Sequence, residues 1–89
     1  MIYEWNSGKN EWLKKERGIS FEKIIFYLEQ GHCWKVAGHY NRKKYPEQSV
    51  YLVVIDGHIY VVPYKKEEDT IFLKTIIPSR KYTRLYKNA

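Results

Sequence analysis

Cysteine, long apolar runs and the common catalytic motifs are scarce or missing in this sequence of 89 residues. The single cysteine, Cys33, excludes an intramolecular disulfide framework and is typical of a reducing cytoplasm. No stretch approaches the ~20 apolar residues of a transmembrane helix, and the opening MIYEWNSGKN has an acid and no apolar segment like that of a signal peptide. These absences predict a cytoplasmic protein with no membrane partner.

The residue spacings of familiar enzyme sites are also absent. His32, Cys33, His39 and His58 do not follow the spacing of a zinc site, so we expect no metal and no cofactor. The chain has no paired carboxylates, no nucleophile elbow, no phosphate-binding glycine loop and no Cys/His pair at a telling spacing. Hydrolysis by those routes is therefore not expected.

Positive charge is what the chain has in excess. Sixteen Lys and Arg residues outnumber ten Asp and Glu residues, which gives a formal charge of +6. This balance favours nucleic acid, an acidic protein or an anionic membrane surface as a partner and does not choose among them. Because so short a chain can build only one core, residues 1–89 are expected to form a single domain.

The first third of the chain predicts one strand and two helices. Residues 2–5 form the strand, and Asn6 or Ser7 caps a first helix that runs to about Arg17, where Gly18 stops it. A second helix begins after Ser20 and ends at Gly31, and its buried stripe has the i, i+3, i+4, i+7 spacing: Phe21, Ile24, Ile25 and Leu28.

The middle of the chain has the period-two pattern of strands. In SVYLVVIDGHIYVVPY, two strands flank Asp56 and Gly57, a pair suited to a type I′ hairpin turn. HCWKVAGH precedes this hairpin and TIFLKTII follows it, which completes a four-stranded antiparallel meander. Pro63 either ends its strand or faces an open edge of the sheet.

The last segment predicts a short helix. Pro78 stops the final strand, Ser79 caps the helix, and Tyr82, Leu85 and Tyr86 give that helix one apolar side. The predicted fold class is therefore α+β: a short N-terminal strand, two helices, a four-stranded antiparallel meander and a short C-terminal helix. All helices are expected on one face of the sheet, which leaves the other face to be covered by something else.

The segment TIIPSRKYTRLY, residues 75–86, concentrates positive charge where a strand gives way to a helix, and no acid follows Asp69. Arg80 and Lys81 oppose the helix dipole in the first turn, so this charge does not serve to stabilise the helix. Arg84 and Lys87 continue the stripe at i+4 and i+7 from Arg80. Backbone N–H groups at a helix start and an arginine fork both suit a phosphodiester, and a solvated basic tail is the alternative.

A second basic run lies in HYNRKKYP. Arg42, Lys43 and Lys44 stand between Tyr40 and Tyr45. Cations that follow a backbone, beside rings that stack on bases, are typical of single-stranded nucleic-acid binding. A solvated loop explains the same residues equally well.

Two stretches resemble the BrnT family of bacterial toxins, which belongs to the RelE-like ribonuclease-toxin fold. YEWNSGKNEWLKKERGISFEKI is similar to the family's N-terminal pattern, and KTIIPSRKYTRLY to its Ile-Ser-Ala-Arg-Lys-Ala-Thr signature. Thr75 stands where the family has an arginine, with Lys74 beside it. The residues that carry the resemblance are Tyr3, Glu4, Trp5, Asn6, Lys9, Arg17, Gly18, Ile19, Ser20, Phe21, Glu22, Ile77, Arg80, Lys81 and Thr83.

The resemblance implies the toxin of a type II toxin–antitoxin pair, a metal-independent endoribonuclease that cleaves RNA and inhibits translation. Its implied partners are RNA, free or on the ribosome, and a cognate antitoxin with a ribbon-helix-helix domain, through which alone it reaches operator DNA. The alternatives are a non-catalytic toxin of the same fold that binds gyrase or the ribosome, and a plain RNA-binding module.

Cleavage of RNA by its own 2′-hydroxyl needs a proton acceptor, a proton donor and positive charge at the phosphate. In our hypothesis Arg80 stabilises the transition-state phosphate, and Lys81 or Lys74 assists with charge or proton transfer. The next candidates for acid–base work are His39 and Tyr64. The expected RNA-binding residues are Arg42, Lys43, Lys44 and Arg84.

Overall fold

A six-stranded sheet with three helices forms the structure, and the computed structural model describes residues 1–89. In chain order the elements are β1 (Ile2–Trp5), α1 (Ser7–Arg17), α2 (Phe21–Glu29), β2 (Cys33–Gly38), β3 (Ser49–Ile55), β4 (His58–Glu67), β5 (Thr70–Leu73), β6 (Ile77–Ser79) and α3 (Arg80–Lys87). The α+β class is confirmed, with one strand, β6, beyond those predicted.

The ends of the first two helices follow the capping residues expected from the sequence. The Asn6 side chain accepts a hydrogen bond from the Lys9 N–H at 2.8 Å, and the Ser20 hydroxyl accepts one from the Lys23 N–H at 3.1 Å. Gly18 ends α1 with a φ of 64°, a left-handed conformation that glycine adopts without steric cost. The local sequence therefore sets these boundaries.

The predicted antiparallel meander is confirmed. The strands lie in the order β1-β5-β4-β3-β2, with β1 parallel to β5 and the four strands from β2 to β5 antiparallel to their neighbours. The β3–β4 hairpin turns at Asp56, with a φ of 52°, and Gly57, with a φ of 76°. Positive φ at both central residues is what a type I′ turn requires.

The ten-residue strand β4 has two partners along one edge. Its residues 64–67 pair with β5, and its residues 59–61 pair with β6. Pro63 lies between the two, and its carbonyl accepts the Lys74 N–H at 2.8 Å. Its nitrogen faces the same gap, where no donor is needed. The strand thus continues through Pro63, so the first of the two predicted alternatives, that the strand ends there, is wrong. Pro63 lies in the gap between β5 and β6 and not at an open edge, because its side chain is fully buried and its carbonyl has a partner.

The prediction that TIFLKTII forms one strand ended by Pro78 is wrong. β5 ends at Leu73, and β6 begins only at Ile77. Ile76, between them, is fully buried, and its carbonyl accepts a hydrogen bond from the Arg17 guanidinium. This anchoring breaks the strand and directs the chain along the other half of β4. Pro78 is tolerated inside β6 because the outer edge of that strand has no partner.

Helices α1 and α2 cover what we call the first face of the sheet. The core between them and the strands consists of Leu13, Ile19, Phe21, Ile24, Val53, Ile55, Val62, Ile71, Leu73 and Ile76. Asn10, only 4 % exposed, joins the two helices: its carbonyl oxygen accepts the Phe21 N–H, and its amide donates to the Glu22 carboxylate. The hydrogen bond from Asn10 is the main cause of the lowered pKa of Glu22.

The prediction that all helices share one face is wrong, because α3 packs on the opposite, second face. There Tyr82 and Tyr86 of α3 lie against a smaller apolar cluster formed by Val50, Leu52, Ile59 and Val61. The physical reason is visible in β3 and β4, whose apolar residues do not strictly alternate with polar ones. Strands that are apolar on both sides need cover on both faces. Much of the second face is therefore covered by the chain itself.

Candidate functional site

An open cleft lies between α3 and the neighbouring ends of β4 and β6. Its volume is about 760 Å³, and none of the ten residues that line it is an aspartate or a glutamate. Among the lining residues, His58, Arg80, Arg84 and Lys87 can carry charge. Tyr60 also lines the cleft, and it packs against the core of the first face as well. The concentration of these residues in one concave surface makes this cleft the candidate functional site.

The basic stripe predicted on α3 points into this cleft. Arg80, Arg84 and Lys87 follow the i, i+4, i+7 spacing, and all three line the cleft. Tyr82 and Tyr86 are directed to the second face of the sheet, where the Tyr86 ring lies 5.3 Å from that of Trp34. The helix thus uses its apolar side for packing and leaves a continuous cationic side for a ligand.

Hydrogen bonds of Thr83 fix α3 to the sheet. Its hydroxyl oxygen accepts the Ile59 N–H at 2.8 Å and donates to the Ser79 carbonyl at 2.6 Å. The Ser79 hydroxyl accepts the Tyr82 N–H at 3.1 Å, which confirms Ser79 as the cap. That N–H is consequently not available to a ligand. These hydrogen bonds hold the segment that carries the arginines beside the start of β4.

Two cleft residues, His58 and Tyr60, were not among the site residues expected from the sequence. The hairpin turn places His58 at the first position of β4, and Tyr60 pairs with Pro78 of β6. The hairpin motif indicates where His58 stands in its strand. Nothing in the sequence indicates that α3 returns to that end of β4, so their proximity to the arginines could not be foreseen.

The two lysines expected to assist Arg80 lie outside the cleft. Lys81 is exposed on α3, with its ammonium 5.8 Å from the Tyr82 ring centre. Lys74 follows β5, with its ammonium 4.4 Å from the Phe72 ring, in a small pocket that it shares with Glu4 and Glu67. Neither residue is among those that line the cleft with Arg80.

His39 is occupied by local packing. It is 4 % exposed, and its ring lies 4.0 Å from that of Tyr40 and 4.7 Å from that of Tyr45. Its Nδ1 accepts the Asn41 N–H at 2.9 Å. These contacts of the ring stabilise the β2–β3 loop. The loop joins β3 at Ser49, whereas His58 lies beyond the other end of β3, after the hairpin turn. The six residue steps along β3 make this separation roughly 20 Å.

Tyr64 lies on the first face of the sheet, away from α3. Its ring stacks on that of Tyr51, with centroids 4.0 Å apart and an angle of 11° between the planes. Burial is the main cause of the raised pKa of the Tyr51 hydroxyl, and the neighbouring Tyr64 raises it further. The structure thus brings neither His39 nor Tyr64 to the cationic cleft.

The expected RNA-binding residues occupy two separate surfaces. Arg84 lines the cleft, whereas Arg42, Lys43 and Lys44 are exposed on the β2–β3 loop. The Arg42 side chain lies over Gly38, where an added Cβ would approach its Nε to 2.7 Å. This second basic surface, the loop surface, therefore lies at the far end of the hairpin from the cleft.

No group of three or more His, Cys, Asp or Glu side chains lies close enough together to hold a metal ion. Burial raises the pKa of the Cys33 thiol, which reduces its thiolate fraction and its reactivity. None of the three helices has the length and apolar content needed to cross a membrane. The titratable residues that line the cleft are arginine, lysine, histidine and tyrosine.

Comparison of the chain with protein-family models, with curated proteins and with solved structures finds no match. A functional assignment for the cleft therefore rests on its own geometry and on the sequence resemblance described above.

Proposed function

We propose that this protein is a metal-independent endoribonuclease that cleaves RNA in the cleft beside α3. The observation that carries the proposal is the joint placement of Arg80, Arg84 and Lys87 in a concave surface without a carboxylate. Three cations so arranged attract a polyanion, and the planar arginine groups can each hold a phosphate through two hydrogen bonds.

The chemistry that fits these residues is attack of the ribose 2′-hydroxyl on the adjacent phosphate. Charge accumulates on the phosphate oxygens in the transition state, and fixed cations that face those oxygens lower the barrier. In this proposal Arg80 stabilises the reacting phosphate, and Arg84 and Lys87 hold the neighbouring backbone. Lys81 and Lys74 take no part, and neither do His39 and Tyr64, because all four lie outside the cleft.

The biological role that we propose is that of a toxin of a type II toxin–antitoxin pair, with a RelE-like fold and membership of the BrnT family. The support is the resemblance at both ends of the chain, which includes Arg80, Lys81 and Thr83 of the α3 segment. Cleavage of RNA, free or on the ribosome, would inhibit translation. The proposed partner is an antitoxin with a ribbon-helix-helix domain, which would connect the toxin to operator DNA.

The test is induced expression of the wild type and of Arg80→Ala in a bacterial host, with growth and total RNA followed over time. The purified proteins are then incubated with RNA in the presence of EDTA. We expect growth arrest and RNA fragments from the wild type, and a cleavage rate lowered by ~10²–10³ in Arg80→Ala. Lys15→Ala, which removes one exposed cation from α1, is the matched control.

The outcomes separate the proposed function from its alternatives. Wild-type arrest with intact RNA would point to a non-catalytic target such as gyrase or the ribosome. RNA binding without arrest or cleavage would leave only an RNA-binding module. A folded Arg80→Ala protein that cleaves as fast as Lys15→Ala would remove Arg80 from the mechanism.

A further inference from the structure

The cleft contains one histidine, His58. It stands at the first position of β4, directly after the tight turn, and its side chain is exposed. Its backbone position is well defined, because His58 pairs with Ile55 of β3 and the next residue, Ile59, donates its N–H to Thr83 of α3. These backbone contacts fix the position of His58 in the sheet beside α3.

The same contact brings His58 next to the cationic stripe. Thr83 directly precedes Arg84, and Arg80 lies three residues before Thr83, so the bond from Ile59 to Thr83 places both arginines beside the start of β4. The other titratable residue that β4 contributes to the cleft is Tyr60, and β6 contributes none. His58 and the two arginines therefore line one cleft, in which a phosphate bound by the arginines is accessible to His58.

The other candidate proton carriers are committed elsewhere. The Nδ1 of His39 is occupied by the Asn41 N–H within the β2–β3 loop. His32 lines a different pocket, with Trp34 and Tyr86, on the other side of α3. Lysine and arginine side chains keep their protons at neutral pH unless strongly perturbed, whereas an imidazole exchanges its proton there.

We propose that His58 is the proton acceptor for RNA cleavage in this cleft; this inference rests on the proposed ribonuclease function. The imidazole takes the proton of the ribose 2′-hydroxyl as the bond between the 2′-oxygen and phosphorus forms. The bond between phosphorus and the 5′-oxygen breaks, and water supplies the proton for the leaving oxygen. The imidazolium returns its proton to the resulting hydroxide. The products are a 2′,3′-cyclic phosphate and a 5′-hydroxyl end.

The experiment compares purified wild type, His58→Gln and His32→Gln. The matched control His32→Gln removes a second exposed histidine from the same end of the sheet but outside the cleft. Single-turnover cleavage of a single-stranded RNA is measured between about pH 5 and 8, the range in which an unperturbed imidazole changes its charge. Binding is measured separately with the DNA strand of the same sequence, which has no 2′-hydroxyl and is not cleaved. Circular dichroism establishes that all three proteins are folded.

We expect His58→Gln to cleave ~10²–10⁴ times more slowly than the wild type and to lose the acidic limb of its pH profile, with the Kd for the DNA strand within about threefold. His32→Gln should match the wild type. Equal cleavage by His58→Gln and the wild type would overturn the inference and leave the proposed ribonuclease intact. A matching loss of DNA binding would reassign His58 to binding and so overturn its role as proton acceptor. Wild-type protein that leaves RNA intact would overturn both proposals.

Discussion

At the scale of single residues, the tyrosine pair on the first face has a measurable electrostatic consequence. Tyr51 and Tyr64 stack in parallel, and burial together with the nearby Tyr64 raises the pKa of Tyr51. An ionised Tyr51 phenol would lose hydration in this position and would lie near the hydroxyl oxygen of Tyr64. The folded protein therefore binds the Tyr51 proton more tightly than the unfolded chain does.

The raised pKa predicts alkaline destabilisation. Below about pH 10, the pKa of tyrosine in the unfolded chain, both the folded and the unfolded states keep the proton, and Tyr51 makes its full contribution to the free energy of unfolding. Above that pH, the unfolded chain releases the proton first, so the free energy of unfolding falls as the pH rises. Tyr51→Phe should lose less stability than the wild type between about pH 9 and 11, as measured by urea unfolding at constant ionic strength. Tyr40→Phe, at an exposed tyrosine, is the control, and parallel curves for wild type and Tyr51→Phe would contradict the prediction.

At the scale of elements, α3 is a short helix of eight residues whose position depends on few contacts. Its apolar residues Tyr82 and Tyr86 rest on the second face, and none of its residues is fully buried. Isolated helices of this length are not stable in water, so α3 needs the sheet in order to form. The Thr83 hydroxyl, which bonds to both Ile59 and Ser79, is the polar part of that attachment.

Removal of the Thr83 hydroxyl should therefore loosen the site. Thr83→Val keeps the shape of the side chain and leaves the Ile59 N–H and the Ser79 carbonyl without this partner. We expect a loss of ~1–3 kcal/mol in the free energy of unfolding and faster hydrogen exchange at the Ile59 amide, measured by NMR. Thr83→Ser, which keeps the hydroxyl, should restore slow exchange. Equal exchange rates in the wild type and Thr83→Val would show that the apolar contacts alone hold the helix.

At the scale of the whole molecule, two cationic clusters, the cleft and the loop surface, lie at opposite ends of the β3–β4 hairpin. The roughly 20 Å between them equals several nucleotides of an extended strand. Charges on the loop surface have no place in a chemical step at Arg80. They can add affinity by holding a distant part of the same RNA backbone.

This arrangement predicts that the loop surface controls binding and not the rate of chemistry. The double variant Lys43→Ala/Lys44→Ala should lower the dependence of log K on log salt by about 1.4 for a single strand, since each phosphate contact contributes about 0.7. Fluorescence anisotropy with a non-cleavable DNA strand measures this slope, and cleavage at saturating enzyme should stay unchanged. Lys15→Ala/Lys23→Ala is the control of equal charge, and an unchanged slope in the loop variant would exclude these lysines from binding.

The sequence alone was sufficient for the elements whose signals are local. Asn6 and Ser20 cap their helices, Gly18 ends α1, and the Asp56–Gly57 pair turns the hairpin, because each acts through backbone groups within a few residues. The basic stripe of α3 was also correctly read, since i, i+4, i+7 spacing places residues on one side of any helix.

Only the tertiary structure decided which of these features meet. The break at Ile76 and the packing of α3 on the second face depend on contacts between segments far apart in the chain, and side-chain periodicity does not specify such contacts. For the same reason the sequence favoured His39 and Tyr64, which the fold uses for packing, and overlooked His58 and Tyr60, which line the cleft with Arg80. Local sequence determined the elements and their charges, and long-range burial determined the cleft that those charges share.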